Sequence, residues 1–555
     1  MGGMDLSLPS ADSAPKRPWW CHPALGLALM AVAVVVVGAV RWRLREIPLE
    51  RDEGEYAYMG RLILEGGAPY GEAANMKWPG TWLAYAAIMA VCGQTTAGIH
   101  TGLLLVSLAT SALVFVLGRR LCGMVGGAVA AGVYAVLAIG TPTMGLAAHA
   151  THFVMLCVLG GFVVLLRSER PGVARAAAAG VLFGLAGVMK QTGALFGLLA
   201  FGWLLVREVE EWRHSRDWRG ALLRLGALGL GGLLPLAAAG LWIWRSGTWS
   251  AFWWWTVIYA KAYAALMPPA EGLAAGWERL RALLRVAPVL WGAAGAGLLG
   301  LAFLRRAQGW RGWLLAFAVV SAAAVCPGWY FREHYFLLLL PALALLAGAA
   351  TAEAAARLDR HWPRWPVALL PVVLVAGGAA HALWLERDVF FQFTPAQACR
   401  RAYGINPFPE SMEIARFLRE HTAPEARLAI LGSEPQILFY AGRRSATPFL
   451  YVYPLMEPQP YAAAMQREFA QQIVAADPDY LVMVGIDASW LRYPESNNGI
   501  FEWFARYQRQ YHLVGLVDIY PDRPGEFRWF DSSSQATPRT RWWIVVLRNN
   551  RLAPR

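Results

Sequence analysis

The chain has 555 residues, of which 57% are hydrophobic and 16% charged, and a mean hydropathy of +0.38. That balance excludes a disordered chain, a disulfide scaffold and a cytosolic enzyme, because apolar runs this long do not fit inside one soluble core. The net charge of +13 comes from arginines lying largely between the apolar runs. This is the pattern of topology signals and contacts with anionic headgroups, so no nucleic-acid partner is expected. The six cysteines show no close metal-ligand spacing, hence no zinc or disulfide framework. The 27 Trp and 55 Gly suit interfacial belts and close helix packing in an α-helical polytopic membrane protein.

Residues 1–23 form a polar, cytoplasmic N-terminal segment, and 24–40 an apolar run followed by Arg41, Arg43 and Arg45 rather than by a cleavage site. This predicts a retained first span. The polar, acidic stretch 41–80 reads as a large first external loop, with the spacing of a short amphipathic helix from Gly54 to Glu65. Thr81 to Val91 is apolar but too short to cross roughly 30 Å of hydrocarbon, so it is predicted to be juxtamembrane or re-entrant. Runs follow at 98–117, 124–140, 153–166, 177–189, 193–206, 221–243, 284–304, 312–327, 335–351 and 366–385. With the first span they give about eleven crossings in a membrane domain spanning 24–385. Arginines concentrate in alternate loops, among them Arg119 and Arg120, Arg213 to Arg219, and Arg305 to Arg311, which marks those loops as cytoplasmic. Residues 386–555 alternate helical runs (Ser411 to Glu420, Tyr461 to Ala475) with β-type runs (Leu428 to Leu431, Tyr480 to Val484, Val514 to Ile519, Trp543 to Leu547), the pattern of a soluble α/β domain. An odd number of crossings from a cytoplasmic N-terminus puts it outside, as the periplasmic domain of a multi-pass protein of the bacterial inner (plasma) membrane.

The strongest chemical cluster is Glu50 to Tyr58, which holds Asp52, Glu53, Glu55 and Tyr56. An Asp-Glu pair opening a helix beside the bilayer can aim a carboxylate at a lipid headgroup, with the helix N-terminus helping to keep it ionised. Glu55 is expected to face solvent. Lys77, in Lys77-Trp78-Pro79, reads on its own as a snorkelling cation before a helix-start proline. Lys190 lies between two apolar runs, where an ionisable residue is either a functional cation or an interfacial anchor. Arg332, in the stretch that continues through Glu333, His334 and Tyr335, can grip a phosphate bidentately or pair with Glu333. Trp249 to Trp255 reads first as an aromatic belt, and Gly432-Ser433-Glu434-Pro435 as a strand-to-helix turn.

Asp52-Glu53-x-x-Tyr56-Ala57 after the first span, Lys77-x-Pro79 at the loop's end, the Arg-rich alternate loops and the Tyr335 to Pro341 run together resemble the GT-C-fold membrane glycosyltransferases. The chain looks most like the protein O-mannosyltransferases (dolichyl-phosphate-mannose-protein mannosyltransferases, glycosyltransferase family 39) and the lipid A aminoarabinose transferases. The resemblance covers most of residues 20–385. It implies sugar transfer from a polyprenyl-phosphate donor to a lipid, glycan or protein acceptor at the external face, inverting, with Asp52 as base. Glu53 then either positions sugar or acceptor or only hydrogen-bonds to its loop. Lys77, Lys190 and Arg332 are the implied phosphate cations; Tyr56, His149, His152, His334 and Tyr335 are candidate sugar or acceptor contacts. No cofactor or divalent metal is required, since side chains can neutralise one lipid phosphate. One departure concerns the aminoarabinose transferases, which carry a further acidic residue where this chain reads Ala147 to Phe153. There His149 and His152 are either its hydrogen-bonding replacements, a metal pair at i,i+3, or interfacial histidines. Three rival readings remain open: a lipid-diphosphate oligosaccharide transferase or polymerase with a metal on Asp52 and Glu53, a transporter or flippase of lipid-linked sugars, and a non-catalytic assembly partner.

Overall fold

The computed structural model describes residues 23–168, 170–362, 365–531 and 534–552. The expected cytoplasmic segment therefore lies, but for Pro23, outside the described residues. Helix α1 (Pro23–Arg43) is followed by α2 (Arg51–Leu64) and α3 (Gly80–Cys92). The start of α2 is set by a reciprocal capping box in which the Glu50 side chain accepts from the Glu53 N–H and the Glu53 side chain accepts from the Glu50 N–H. At 13 residues α3 is about 20 Å long at 1.5 Å per residue, well short of a bilayer crossing.

The 42-residue α4 (Thr96–Leu137) is broken at Gly123, whose φ of 85° is open to glycine. The break separates the two predicted runs 98–117 and 124–140. Helices α5 (Ala150–Leu165), α6 (Val173–Met189), α7 (Ala194–Ser215) and α8 (Trp218–Arg245) follow. Helices α6 and α8 pack backbone to backbone: a Cβ on Gly184 would come within 2.2 Å of the Gly232 carbonyl oxygen, the close approach that small residues permit in membrane bundles.

The predicted run 284–304 is not one helix. Pro269–Val286 and Pro288–Leu299 meet at 111° because Pro288 drives Ala287 out of the helical region, to φ −136° and ψ 54°. Proline also moves the run 335–351: the helix starts only at Leu340, with Pro341 in its first turn, and Tyr335 is left in the preceding 3-10 segment Glu333–Leu338. Among the described residues, four helices are long and apolar enough to cross a membrane: Thr96–Leu137, Gln191–His214, Trp218–Arg245 and Val367–Leu385. The bent pair would make a fifth, and α3, α5 and α6 are shorter apolar helices.

After Leu385 the chain builds a six-stranded mixed sheet from β1 (Arg427–Leu431), β2 (Arg444–Ser445), β3 (Tyr480–Gly485), β4 (Tyr511–Asp518), β5 (Glu526–Trp529) and β6 (Trp543–Asn549), in the order β2-β1-β3-β6-β4-β5. Strands β2, β1 and β3 are parallel, and β6, β4 and β5 add antiparallel. The sequence pattern located β1, β3, β4 and β6; the two-residue β2 and four-residue β5 are too short to show a period.

This C-terminal domain shares one hydrophobic core with the first loop, with Tyr56, Met59 and Trp82 joining Leu428, Ile437 and Phe449. A Cβ on Gly54 would lie 2.6 Å from the Gln436 nitrogen, so α2 rests directly on the helix Pro435–Ala441. Glu434 forms an ion pair with Arg51 at 2.6 Å, and its side chain is fully buried. The turn at Gly432 to Pro435 is thus a docking element as well as a strand-to-helix turn. Arg61 donates to the Phe439 and Arg443 carbonyls at 3.0 and 3.2 Å, and the Ser445 N–H donates to the Tyr58 hydroxyl at 2.8 Å. Breaking a buried pair by removing one partner costs about 3–5 kcal/mol. Arg51→Ala is therefore expected to lower the thermal midpoint in detergent and open the C-terminal domain to limited proteolysis; an unchanged midpoint and digest would refute this docking role.

Candidate active site

Helix α2 is buried along most of its length, from Glu53 to Leu62. Asp52, Glu55 and Tyr56, at i, i+3 and i+4, share one face. On it Lys77 Nζ sits 3.1 Å from Asp52 Oδ1 and 2.9 Å from Glu55 Oε2, and 4.5 Å from the centre of the Tyr56 ring. Glu55 is fully buried rather than solvent-facing, because the C-terminal domain covers the helix. The Tyr451 hydroxyl donates to Asp52 Oδ1 at 2.9 Å. Asp52 Oδ2 is 3.7 Å from His149 Nδ1 and 3.9 Å from His334 Nε2, and the two imidazoles stack at 4.1 Å.

These groups open onto a cavity of about 420 Å³. Asp52, Tyr56, Lys77, His149, Lys190, Arg332, His334 and Tyr335 all line it, so residues from the first loop, the ends of α5 and α6 and the 3-10 segment before Leu340 meet at one place. Lys190 Nζ lies 3.4 Å from the Tyr335 ring centre, and among the described residues no carboxylate pairs with it at ion-pair distance. Arg332 stacks over Tyr330 at 5.3 Å. Glu333 pairs with Arg279 at 2.9 Å instead of with Arg332. At the far end Tyr259 donates to Glu457 at 2.6 Å.

Two expected site residues lie elsewhere. Glu53 does not line the cavity: one turn position from Asp52, it points to the opposite side of α2, where its Oε1 accepts from the Ala148 N–H at 2.6 Å and meets His100 Nε2 at 3.0 Å. Both its oxygens are thus spent on holding the loop. His152 is buried within α5 and is not among the residues lining the cavity either. Lys77 does line the cavity, but its charge is already committed to two carboxylates. Sequence reasoning missed Glu55, Tyr451, Tyr453 and Glu457. The i,i+3,i+4 spacing was a usable signal for Glu55; nothing local to the sequence marks the others.

Burial works to raise the Asp52 pKa, but Lys77 above all, with the imidazoles of His149 and His334 beside it, outweighs burial and holds the carboxyl well below its usual range. Burial favours neutral Lys77, yet Asp52 and Glu55 push its pKa well above the ordinary lysine value. Lys190 has no such support: burial, then repulsion from Lys77, lower it to about 7. Glu50 and Glu457 are both raised to about 7, chiefly by burial. The site thus pairs a carboxylate held well below its usual range with a lysine lowered to about 7. Asp52, His149 and His334 place ligand atoms within 4.8 Å of one another and are the residues that could hold a divalent ion.

A family model described as dolichyl-phosphate-mannose-protein mannosyltransferase matches residues 79–235. No curated protein matches the chain in sequence. Among solved structures, ArnT from Cupriavidus metallidurans bound to undecaprenyl phosphate is similar with a TM-score of 0.56 at 16% identity, covering 95% of this chain and 98% of that one. The same protein in the apo state gives 0.54 at 16% identity, covering 94% and 98%. The archaeal oligosaccharyltransferase AglB from Archaeoglobus fulgidus, in complex with an inhibitory peptide and a dolichol-phosphate, gives 0.53 at 13% identity, covering 93% of this chain and 75% of that one. Over residues 79–235 the chain thus resembles the dolichyl-phosphate-mannose-protein mannosyltransferase family, and over nearly its whole length it shares the fold of ArnT and AglB.

Proposed function

We propose that the protein transfers a sugar from a polyprenyl-phosphate donor to an acceptor at the external membrane face, inverting the anomeric carbon, with Asp52 as base. The observation that carries this reading is the meeting of Asp52, Lys190 and Arg332 in one cavity. Asp52 orients the acceptor and takes its proton as the new glycosidic bond forms. The bond from the anomeric carbon to the phosphate oxygen breaks on the opposite face, and its electrons go to the departing lipid phosphate. Lys190 and Arg332 neutralise that charge as it develops. Lys77 keeps Asp52 ionised and fixed in place rather than holding phosphate itself. The solved ArnT and AglB complexes with undecaprenyl phosphate and dolichol-phosphate support a polyprenyl-phosphate carrier. Sugar and acceptor are left at the level of class: lipid, glycan or protein.

Eleven crossings fit this reading. They are α1, the two limbs of α4, α5 to α8, the bent pair Pro269–Val286 with Pro288–Leu299 taken as one, and the helices Arg311–Val325, Leu340–His361 and Trp365–Leu385, with α3 lying at the membrane face. The odd count and the arginine-rich alternate loops support a C-terminal domain outside a bacterial inner membrane. The gathering of polar groups at one face, not near the midplane, favours a transferase over a flippase. A second reading, a lipid-diphosphate donor with a divalent ion, draws on the Asp52, His149 and His334 cluster; Glu53, its other suggested ligand, is spent on the loop.

The test is transfer of labelled sugar from defined polyprenyl-phosphate donors in proteoliposomes. Asp52→Asn is expected to lower kcat by about 10²–10⁴-fold, the usual contribution of a positioned base, while transfer by the wild type survives chelation. Chelator-sensitive transfer would instead establish the metal-dependent reading. Lys190→Ala is expected to raise the donor KM by about 10-fold or more, the size of one charge-assisted hydrogen bond. Because only the protonated lysine binds phosphate, kcat/KM for the donor should fall as pH rises through about 7; Lys190→Arg should remove that limb. Tyr451→Phe deletes a hydrogen bond to the base and should lower kcat about 10-fold with little change in donor KM. Equal kcat values for Tyr451→Phe and wild type would contradict its positioning role.

A further inference from the structure

A second cavity, of about 1120 Å³, opens on the C-terminal domain between the helix Pro395–Tyr403, the helix Phe408–His421 and the turn 521–525 that joins β4 to β5. Five arginines line it, Arg400, Arg401, Arg416, Arg419 and Arg523, against Glu410, Glu413 and Asp522. Two of the five are spent: Arg400 on Glu410 at 2.5 Å and on the Gly404 and Asn406 carbonyls, and Arg416 on Glu413. Arg401, Arg419 and Arg523 have no carboxylate at ion-pair distance among the described residues. Arg419 donates only to the Tyr440 carbonyl, at 3.3 Å, and Arg523 lies over the Tyr520 ring at 3.8 Å. With Asp522 the remaining acidic group, the groove keeps an excess of positive charge beside the apolar surfaces of Phe393, Met412 and Phe527.

The position of the groove identifies its occupant. It begins at Phe393, eight residues beyond the end of the span Val367–Leu385, and Arg43, at the end of α1, donates to the Phe390 and Phe393 carbonyls at 3.3 and 2.6 Å. Around this junction Trp42, Trp384 and Phe391 are half exposed. Arg45 stacks over Trp42 and Arg387 over Trp384, at 4.2 and 4.4 Å. Exposed aromatics carrying arginines at the ends of spans mark the headgroup layer. Guanidinium groups match phosphate oxygens bidentately, and the apolar wall suits the first carbons below a headgroup. The geometry points to a binding site for the phosphate headgroup of an anionic membrane lipid in this groove, with Arg401, Arg419 and Arg523 as its cations. The groove is distinct from the 420 Å³ cavity but only one loop away. Asn406 accepts from Arg400 through its carbonyl on the groove side and from Arg51 through its side chain on the cavity side.

The test uses the full chain in nanodiscs of phosphatidylcholine doped with a photoactivatable phosphatidylglycerol, followed by peptide mapping. Labelling is expected on peptides from 393–419 and 521–527, reduced at least fivefold in the triple variant Arg401→Gln, Arg419→Gln, Arg523→Gln and largely restored in the corresponding triple Lys variant. Arg401→Gln with Arg523→Gln, at two exposed positions outside the packed core, provides a second variant with the same expected direction if the triple variant does not fold. Millimolar inorganic phosphate should not compete, since the lipid presents its phosphate from the bilayer; competition would assign the groove to soluble phosphate and overturn the lipid assignment. Undiminished labelling in both Gln variants, or labelling confined to the spans, would also overturn it.

Discussion

A carboxylate placed beside a bilayer and covered by protein stays ionised only if something nearby replaces the water it has lost. For Asp52 that replacement is Lys77, held 3.1 Å away and shared with Glu55. The arrangement is interdependent. Lys77 stays charged because two carboxylates face it, and Asp52 stays ionised because Lys77, His149 and His334 surround it. Asp52 faces a cavity whose other cations, Lys190 and Arg332, have no carboxylate at ion-pair distance among the described residues.

That balance requires a rigid first loop, and the loop is rigid because the C-terminal domain is built onto it. Glu53, next to the base, is consumed by the Ala148 N–H and His100, which fixes the rotation of α2 and turns Asp52 toward the cavity. Arg51, the other neighbour, is locked to Glu434 and the Ser433 carbonyl. Tyr451 then reaches from the C-terminal domain to Asp52 itself. The domain therefore forms part of the cavity wall and is not merely a cover above it.

Much of this was legible in the sequence. Isolated charges at the ends of apolar runs are costly unless used, and this reasoning, together with the family resemblance, singled out Asp52, Lys77, Lys190 and Arg332, all of which line one cavity. Hydropathy located α1, α3 and the two limbs of α4, and the β-type runs located four of six strands. The failures have physical causes. The run 284–304 hid a break because a pre-proline residue inside an apolar stretch does not alter its hydropathy. Glu55 was read as solvated because its burial depends on a domain almost four hundred residues away. Glu53 and Asp52 were treated as a pair, although neighbours on a helix point about 100° apart and cannot serve one site equally. Tyr451 and Glu457 carry no local signal at all; tertiary packing brings them to the cavity, with the parallel bridge between Ala74 and Phe449 joining the first loop to the chain just before Tyr451.

The most direct measurement is the structure of the protein with bound polyprenyl phosphate. The phosphate is expected between Lys190 and Arg332, with Asp52 across the cavity and free of it, leaving room for a sugar and an acceptor between them. A phosphate seated on Lys77 and displacing Asp52, or bound outside this cavity altogether, would contradict the division of roles on which the proposed transfer rests.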